Sequence, residues 1–436
     1  MLGFYDVSRA HWHAAVRRNI YVKPPKEDTS ILTGIAKLLK SMYGTRDAAQ
    51  CWDAFCEEVM TALEFTVGVY SVCVYHHRDK DAVCVRHGDD FILLAPRHMQ
   101  KWFHEEINKR MQGMVKHLGS LGPRSDLGDV QEVRCLNRII RWVYGSPRGG
   151  AQDHVEWEAD PRHIEILCHA LFGDKAPKKL STPGEKMPKN ADTTVLNERE
   201  RQLYRSNTMR MAYLASDRPE LPFCSKELAR SMQQPTQWDM KQLRRGVQFL
   251  SGARRLVQKF VAQHVPTRVT GYSDTDHAGC IKTRKSTSSS MMFLGKHMVK
   301  SSASTQAVQA LSSGESEFYG AVKTASTGIG MIHLLKDMGV DMQEPLDLKL
   351  DASAGIGIAQ RRGAGWIRHI ATPTLWLQKA VYDGKVKVGK VDGKENPADI
   401  GTKYLGRKAI EKIWKRCGFY IATGSSKMAL KAALSS

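Results

Sequence analysis

The period of apolar positions changes several times along the chain, and each change predicts an element. Between residues 31 and 63, Leu38, Leu39, Met42, Trp52, Phe55, Val59 and Leu63 recur at mostly helical spacing, broken at Tyr43-Gly44. Residues 69–75 and 82–95 then read as strands, the second interrupted by His87-Gly88-Asp89-Asp90. A glycine ahead of paired aspartates permits a tight turn that would hold both carboxylates at one rim. An ordinary solvated hairpin tip fits the same residues. From 198 to 252 the period is helical again, through Leu203, Met211, Leu214, Leu228, Met232, Trp238, Leu243, Val247 and Leu250, which predicts a helical core. Beyond Val265 the pattern turns to strands at 269–273, 290–299 and 306–311. A long helix, a strand at 346–351, a helical region and a strand at 385–391 follow.

The long helix has signals at both ends. Ser312-x-x-Glu315 is a capping box, Phe318, Val322, Ala325, Ile329, Ile332 and Leu335 form one stripe, and Gly339 supplies a stop. Glu315 is therefore assigned to capping. Glu317, one turn inside and beside the stripe, is left for chemistry.

A length of 436 residues predicts two or three domains, each with its own core. Residues 123–134 are turn-rich, and 173–197, rich in Pro, Lys and polar residues, form the best linker candidate. Hydrophobic content of 42% and charged content of 25% are those of a folded protein. Lys and Arg number 65 against 45 Asp and Glu, a formal charge of +20 that suits phosphate backbones, although solubility charge alone would also fit. The nine cysteines are scattered singly, without zinc spacing, as expected of reduced thiols in the cytoplasm or nucleus. With neither a signal-like N-terminus nor a long apolar run, secretion and membrane insertion are not expected.

Four acids in the last third stand each in a motif of its own: Asp274 in GYSDTDHAG, Glu317 in LSSGESEFYGA, Asp351 in LKLDASA and Asp399 in NPADIGTK. Any one alone reads as a surface carboxylate. In this order, ending a strand, opening a helix, ending a second strand and starting a helix, they can converge on a pair of divalent cations. An all-oxygen site of this kind suits hard cations, and two of them can clamp a phosphodiester.

These segments, GYSDTDHAGCIKTRKSTSS, ALSSGESEFYGA, LKLDASAG and KENPADIGTKYL, resemble the ribonuclease H domain of copia-type retrotransposon polyproteins over some 135 residues. The resemblance implies that Asp274, Glu317, Asp351 and Asp399 bind two Mg2+ ions, with Mn2+ able to substitute, and that the RNA strand of an RNA/DNA hybrid is cut. It continues upstream into the family's reverse transcriptase. There IYVKPPKED, GIAKLLKSMYGTRDAAQCW and the helical stretch from LYRSNTMRMAYLAS to RRGVQFLSG match, HGDDFILLA stands at the family's Asp-Asp hairpin, and YDVSRAHWHA at its first palm aspartate. Asp6, Asp89 and Asp90 are thereby implied as metal-binding acids of an RNA-directed DNA polymerase, with RNA template, DNA and deoxynucleotides as partners. No small-molecule cofactor and no membrane partner are implied.

The implied fold is α/β and α+β multidomain. It comprises a reverse transcriptase palm remnant at 1–145, a helical thumb and connection at 146–265 that includes the linker, a ribonuclease H-like mixed-sheet α/β domain at 266–412 and a basic tail at 413–436. Residues 403–436 carry Lys403, Arg407, Lys408, Lys412, Lys415, Arg416, Lys427 and Lys431 against Glu411 alone, fitting either phosphate contacts or a solvated amphipathic helix. Departures from the family are His11-Trp12, His87-Gly88, His277, Ala352 and Ala371. His369 fits either contact with substrate or a structural place at a helix start. Only five residues precede Asp6, so the family's fingers strands are missing and strand cleavage ranks ahead of polymerisation. The alternative is a catalytically inactive, nucleic-acid-binding relic.

Overall fold

A computed structural model describes residues 1–25, 27, 34–145, 152–365, 367, 369–370 and 372–424. The chain forms two compact units, Met1–Val133 with His333–Asp341, and Arg134–Ile332 with Met342–Ser436. Architecturally it is a mixed α/β multidomain protein with several antiparallel sheets.

The first unit is built on a six-stranded sheet of β1 (Leu2–Val7), β2 (Thr66–Val67), β3 (Val74–His77), β4 (Ala82–His87), β5 (Asp90–Leu94) and β6 (Val115–Leu121), in the order β2-β3-β4-β5-β1-β6. Ala82 and Cys84 of β4 and Phe91 and Leu93 of β5 alternate inward, as period-2 strands with one packed face require. They meet α1 (Ala48–Ala62) through Trp52, Cys56 and Met60, and α2 (Arg97–Arg110) through Phe103 and Ile107. The helical spacing expected across 31–63 holds only from Ala48 onward. Ala36–Lys37 instead pairs as a short strand with Tyr21–Val22, and Leu39 is 74% exposed. Residue 31 lies outside the described residues. A helix ahead of Tyr43-Gly44 would need a core to bury its apolar side, and there Leu39 and Met42 are exposed and Leu38 only half-buried.

Strands β7 (Glu132–Cys135), at the boundary of the units, and β8 (Arg138–Val143), β9 (His154–Glu158), β10 (Leu256–Val261) and β16 (Phe419–Ile421) of the second unit form a sheet in the order β16-β10-β9-β8-β7. Helices α3 (Arg162–Phe172), α4 (Glu198–Leu214), α5 (Pro222–Arg230) and α6 (Gln237–Ser251) supply most of the core. A third sheet holds β11 (Val269–Asp276), β12 (Thr287–Leu294), β13 (His297–Thr305), β14 (Leu346–Leu350) and β15 (Val386–Lys390), in the order β13-β12-β11-β14-β15. Met291, Phe293 and Met298 of this sheet share one hydrophobic cluster with Leu243, Val247 and Phe249 of α6 and Trp414 of α9 (Arg407–Arg416). Among the described residues, no helix is long and apolar enough to cross a membrane.

Two strand expectations are corrected here. The run 290–299 is not one strand but the ends of β12 and β13, folded at Gly295, whose φ of 60° allows the tight return that pairs Leu294 with His297. Residues 306–311 form no strand. Gln306 turns its Nε2 to Ser288 Oγ (2.9 Å) and Ser316 O (2.8 Å), leading the chain into α7 (Ser313–Asp337). That helix starts and stops where its signals lie, with Gly339 at φ 77°. Its buried face, however, is Phe318, Ala321, Thr324, Ala325 and Gly328, while Val322, Ile329 and Ile332 are only half-buried. Small residues face the sheet because the helix lies close to it.

Candidate metal centre

Strands β11 and β14 run parallel and side by side, with Tyr272 opposite Lys349. Asp274, two residues further along β11, and Asp351, immediately after β14, therefore emerge at the same strand ends. Helix α7 brings its first turns over that edge. Gly320 makes this approach possible, since a Cβ there would stand 2.5 Å from Thr275 Oγ1. Gly355, in α8 (Ser353–Gln360), plays the same part from the other side, a Cβ there falling 2.9 Å from Glu317 Cβ. Asp274, Glu317 and Asp351 each offer an oxygen, all within 4.8 Å of one another, and they are the one such group of three or more His, Cys, Asp or Glu among the described residues.

The electrostatics of this group are unfavourable as it stands. Asp274 is pushed up to about 6, by burial first and then by Asp399 and Asp351, against the opposing hydrogen bond from Thr402. Glu317 is pushed up to about 8, again by burial first and then by Asp274 and Asp351. Glu317 Oε2 is buried without a hydrogen-bond partner. A buried acceptor left unpaired is costly, and like charges this close disfavour ionisation. An all-oxygen donor set with an orphaned oxygen fits a divalent cation, which would supply the missing partner and the missing charge.

Glu315 has other duties. Its amide donates to Ser312 Oγ (3.2 Å), and its carboxylate accepts from Leu311 N (2.9 Å), Tyr319 OH (2.9 Å) and His369 Nε2 (3.0 Å). Despite burial, these bonds hold the Glu315 carboxyl below its usual range. His369 thus meets the start of α7. Ala352 sits at the N-cap of α8 without a side-chain cap, whereas Arg368 and Ala371 lie outside the described residues.

Asp399 lies in a short 3-10 turn, Pro397–Gly401, and is not within the three-acid group. Its Oδ1 accepts from Lys403 Nζ at 2.9 Å. The turn is tied to β11, because Asn396 Nδ2 donates to Ser273 O (2.9 Å) and Thr402 Oγ1 donates to Asp274 Oδ2. Asn396 and Thr402 carry no charge or motif of their own that marks them in the sequence, and Lys403 stands there only as one of the C-terminal cations. The available signal was the spacing in Asn396-Pro-Ala-Asp399-Ile-Gly-Thr402-Lys403, where one turn carries both an acid and its counter-ion.

The acids of the first unit are arranged differently. Asp6 of β1 and Asp90 of β5 are register partners, and Asp89 sits in the two-residue turn beside them, its carbonyl accepting from Val7 N at 3.0 Å. The turn is held from below: Gly88 O accepts from Trp52 Nε1 (2.8 Å) and from Arg86 Nη1 (3.3 Å), and Arg86 Nη2 in turn reaches Asp53 Oδ1 at 2.6 Å. Asp89 is exposed, Asp6 and Asp90 half-buried. Asp90 is raised, by burial first and then by Asp89 and Asp6. A cavity of about 290 Å³ adjoins the turn, lined by His11, Tyr43, Trp52, Arg86, His87 and Asp89 among others.

Several of the expected C-terminal cations have local partners. Arg407 pairs with Glu411 (2.6 Å), Lys412 with Glu395, and Arg416 Nη2 donates to Tyr272 OH (2.9 Å). Lys427 and Lys431 lie outside the described residues.

No family model matches the chain. It is 23% identical over 432 residues to the retrovirus-related Pol polyprotein from transposon TNT 1-94 of Nicotiana tabacum, with 95% of this chain covered. It is 26% identical to the retrovirus-related Pol polyproteins from transposons RE1 and RE2 of Arabidopsis thaliana, over 422 and 423 residues and again 95% of the chain. Over nearly its whole length the chain is similar to retrotransposon Pol polyproteins. It spans 30% of the length of the first of these polyproteins and 27% of the other two. With 95% of the chain aligned, the stretch similar to these polyproteins takes in most of both units.

Proposed function

We propose that this chain is a reverse transcriptase and ribonuclease H portion of a Pol polyprotein, and that its second unit cuts the RNA strand of an RNA/DNA hybrid. The carrying observation is the group Asp274, Glu317 and Asp351, of which Asp274 and Glu317 are buried and Asp351 half-buried, with Glu317 Oε2 left without a hydrogen-bond partner. These three, with Asp399 beside them, would hold Mg2+, for which Mn2+ can substitute. Bound there, such ions supply Lewis-acid stabilisation of a phosphodiester at its attacking and leaving oxygens. The protein's own part is positional. Thr402 fixes one oxygen of Asp274, the parallel pairing of β11 and β14 fixes the spacing of Asp274 and Asp351, and Gly320 and Gly355 let Glu317 close the third side. The formal charge of +20 supports a phosphate-backbone partner, whose binding should weaken as salt rises.

Cleavage of a labelled RNA/DNA hybrid by the full-length chain in Mg2+ or Mn2+ is the test. Activity lost in Asp351→Asn with folding intact is expected; undiminished cleavage in that variant would sink the assignment. The second reading, a nucleic-acid-binding relic without catalysis, draws on the Lys403 contact that holds Asp399. A wild-type chain that binds the hybrid, takes up no Mn2+ and does not cut it would favour that reading. Asp6, Asp89 and Asp90 are proposed as the acids of an RNA-directed DNA polymerase site, tested by primer extension on an RNA template with deoxynucleotides.

A further inference from the structure

Building on the metal-site reading, we infer that Lys403 is a positioning residue that holds Asp399 apart from the acid group, so that the resting site takes one divalent cation and admits a second only when Lys403 leaves. Three observations carry this. First, Asp274, Glu317 and Asp351 close on one another without Asp399, whose Oδ1 is instead 2.9 Å from Lys403 Nζ. Second, the backbone bearing Asp399 is fixed. Asn396 and Thr402, both buried, tie it to Ser273 and Asp274 on either flank, and a Cβ on Gly401 would stand 2.2 Å from Ser289 Oγ, so the turn is seated against the sheet. Asp399 can change its partner by side-chain rotation, whereas the turn has no room to shift. Third, the Lys403 side chain is 50% exposed and that of Asp399 22%. The lysine is therefore free to swing into solvent, while the aspartate stays at the site.

Charge agrees with this division. Three carboxylates and a neutral Asp399–Lys403 pair are largely neutralised by one divalent cation. Releasing Lys403 adds a fourth negative charge, which matches two.

Isothermal titration of the full-length chain with Mn2+ tests the inference. One saturable equivalent is expected in the wild type, lost in Asp351→Asn. Lys403→Met, which keeps the stem and removes the charge, should show a second equivalent or binding on the order of tenfold tighter, and Lys403→Arg should behave as the wild type. Asp399→Asn in the Lys403→Met background should remove the second equivalent and keep the first, which separates a freed ligand from a general change in surface charge. A Lys403→Met isotherm identical to that of a metal-binding wild type, or two equivalents already in the wild type, would overturn the role of Lys403 and leave the three-acid site standing. Absence of saturable Mn2+ binding in the wild type would overturn both.

Discussion

Each unit carries three clustered acids, and the chain treats them in opposite ways. Asp6, Asp89 and Asp90 stand at the open end of a hairpin, where Asp89 is exposed to water and Asp90 is raised by burial first and then by its two neighbours. Asp274, Glu317 and Asp351 are pressed between strand ends, the first turns of α7 and the start of α8, and two of them rise far above ordinary carboxylates. Acids at a solvent-facing rim need little compensation to fold. Acids crowded together and partly buried lower stability unless something neutralises them. Retaining three such acids at one point, with glycines shaped to let them meet, therefore points to a cation at the second group more strongly than at the first.

The largest expected effect is stabilisation by metal. Saturating Mn2+ at pH 8 should stabilise the full chain by about 2–3 kcal/mol at a hundredfold excess over Kd, read as a rise in melting temperature. Asp351→Asn should lose the shift and Asp89→Asn should keep it. Equal shifts in both variants would erase the contrast between the units.

Next in size is the cost of the buried charges themselves. Folded-state values of about 6 for Asp274 and about 8 for Glu317 lie above those of the unfolded chain, so the folded state binds more protons between these limits. Stability of the metal-free chain should therefore be greatest at the acid end of that window and decline as pH rises through 6 and 8. Glu317→Gln should flatten the decline above pH 6 and raise metal-free stability at pH 8 by about 1–3 kcal/mol. Because metal competes with protons, the Mn2+-induced shift should grow over the same range. A melting temperature that climbs with pH in the metal-free wild type would contradict this account.

Smaller effects belong to the first unit. Trp52→Phe removes the indole donor to Gly88 O and should cost about 1 kcal/mol, with faster amide exchange at the hairpin turn. Asp89→Asn, at an exposed position, should change stability by no more than about 0.5 kcal/mol. A large loss there would show that the rim acids too are structurally committed.

Legibility from sequence followed the same division. Helix α7 could be placed because its ends are local: Ser312 and Glu315 at the start, Gly339 at the stop. Its depth could not. The run Ser286 to Ser290 is buried, Ser288 toward Gly320 of α7, Ser289 toward Gly401 and Thr287 toward Lys226 Nζ, with Ser290 meeting Ser302. Hydropathy places such serines outside, and only their hydrogen bonding across the sheet explains them inside. The helix signal over 31–63 failed for the converse reason, since apolar spacing without a surface to pack against does not make a helix. At the candidate site, the acids were recognisable as motifs. Their neighbours were not, because the roles of Thr402 and Lys403 arise from a contact with β11 that lies more than a hundred residues away in sequence and from a turn geometry that composition does not encode.

Direct measurement of Mn2+ bound to the full-length chain at pH 8, by equilibrium dialysis of the wild type, Asp351→Asn and Asp89→Asn, tests the central claim most closely. Saturable binding in the wild type and Asp89→Asn, lost in Asp351→Asn, is the predicted result. Binding that survives Asp351→Asn and disappears in Asp89→Asn would place the metal at the hairpin rim and contradict the account.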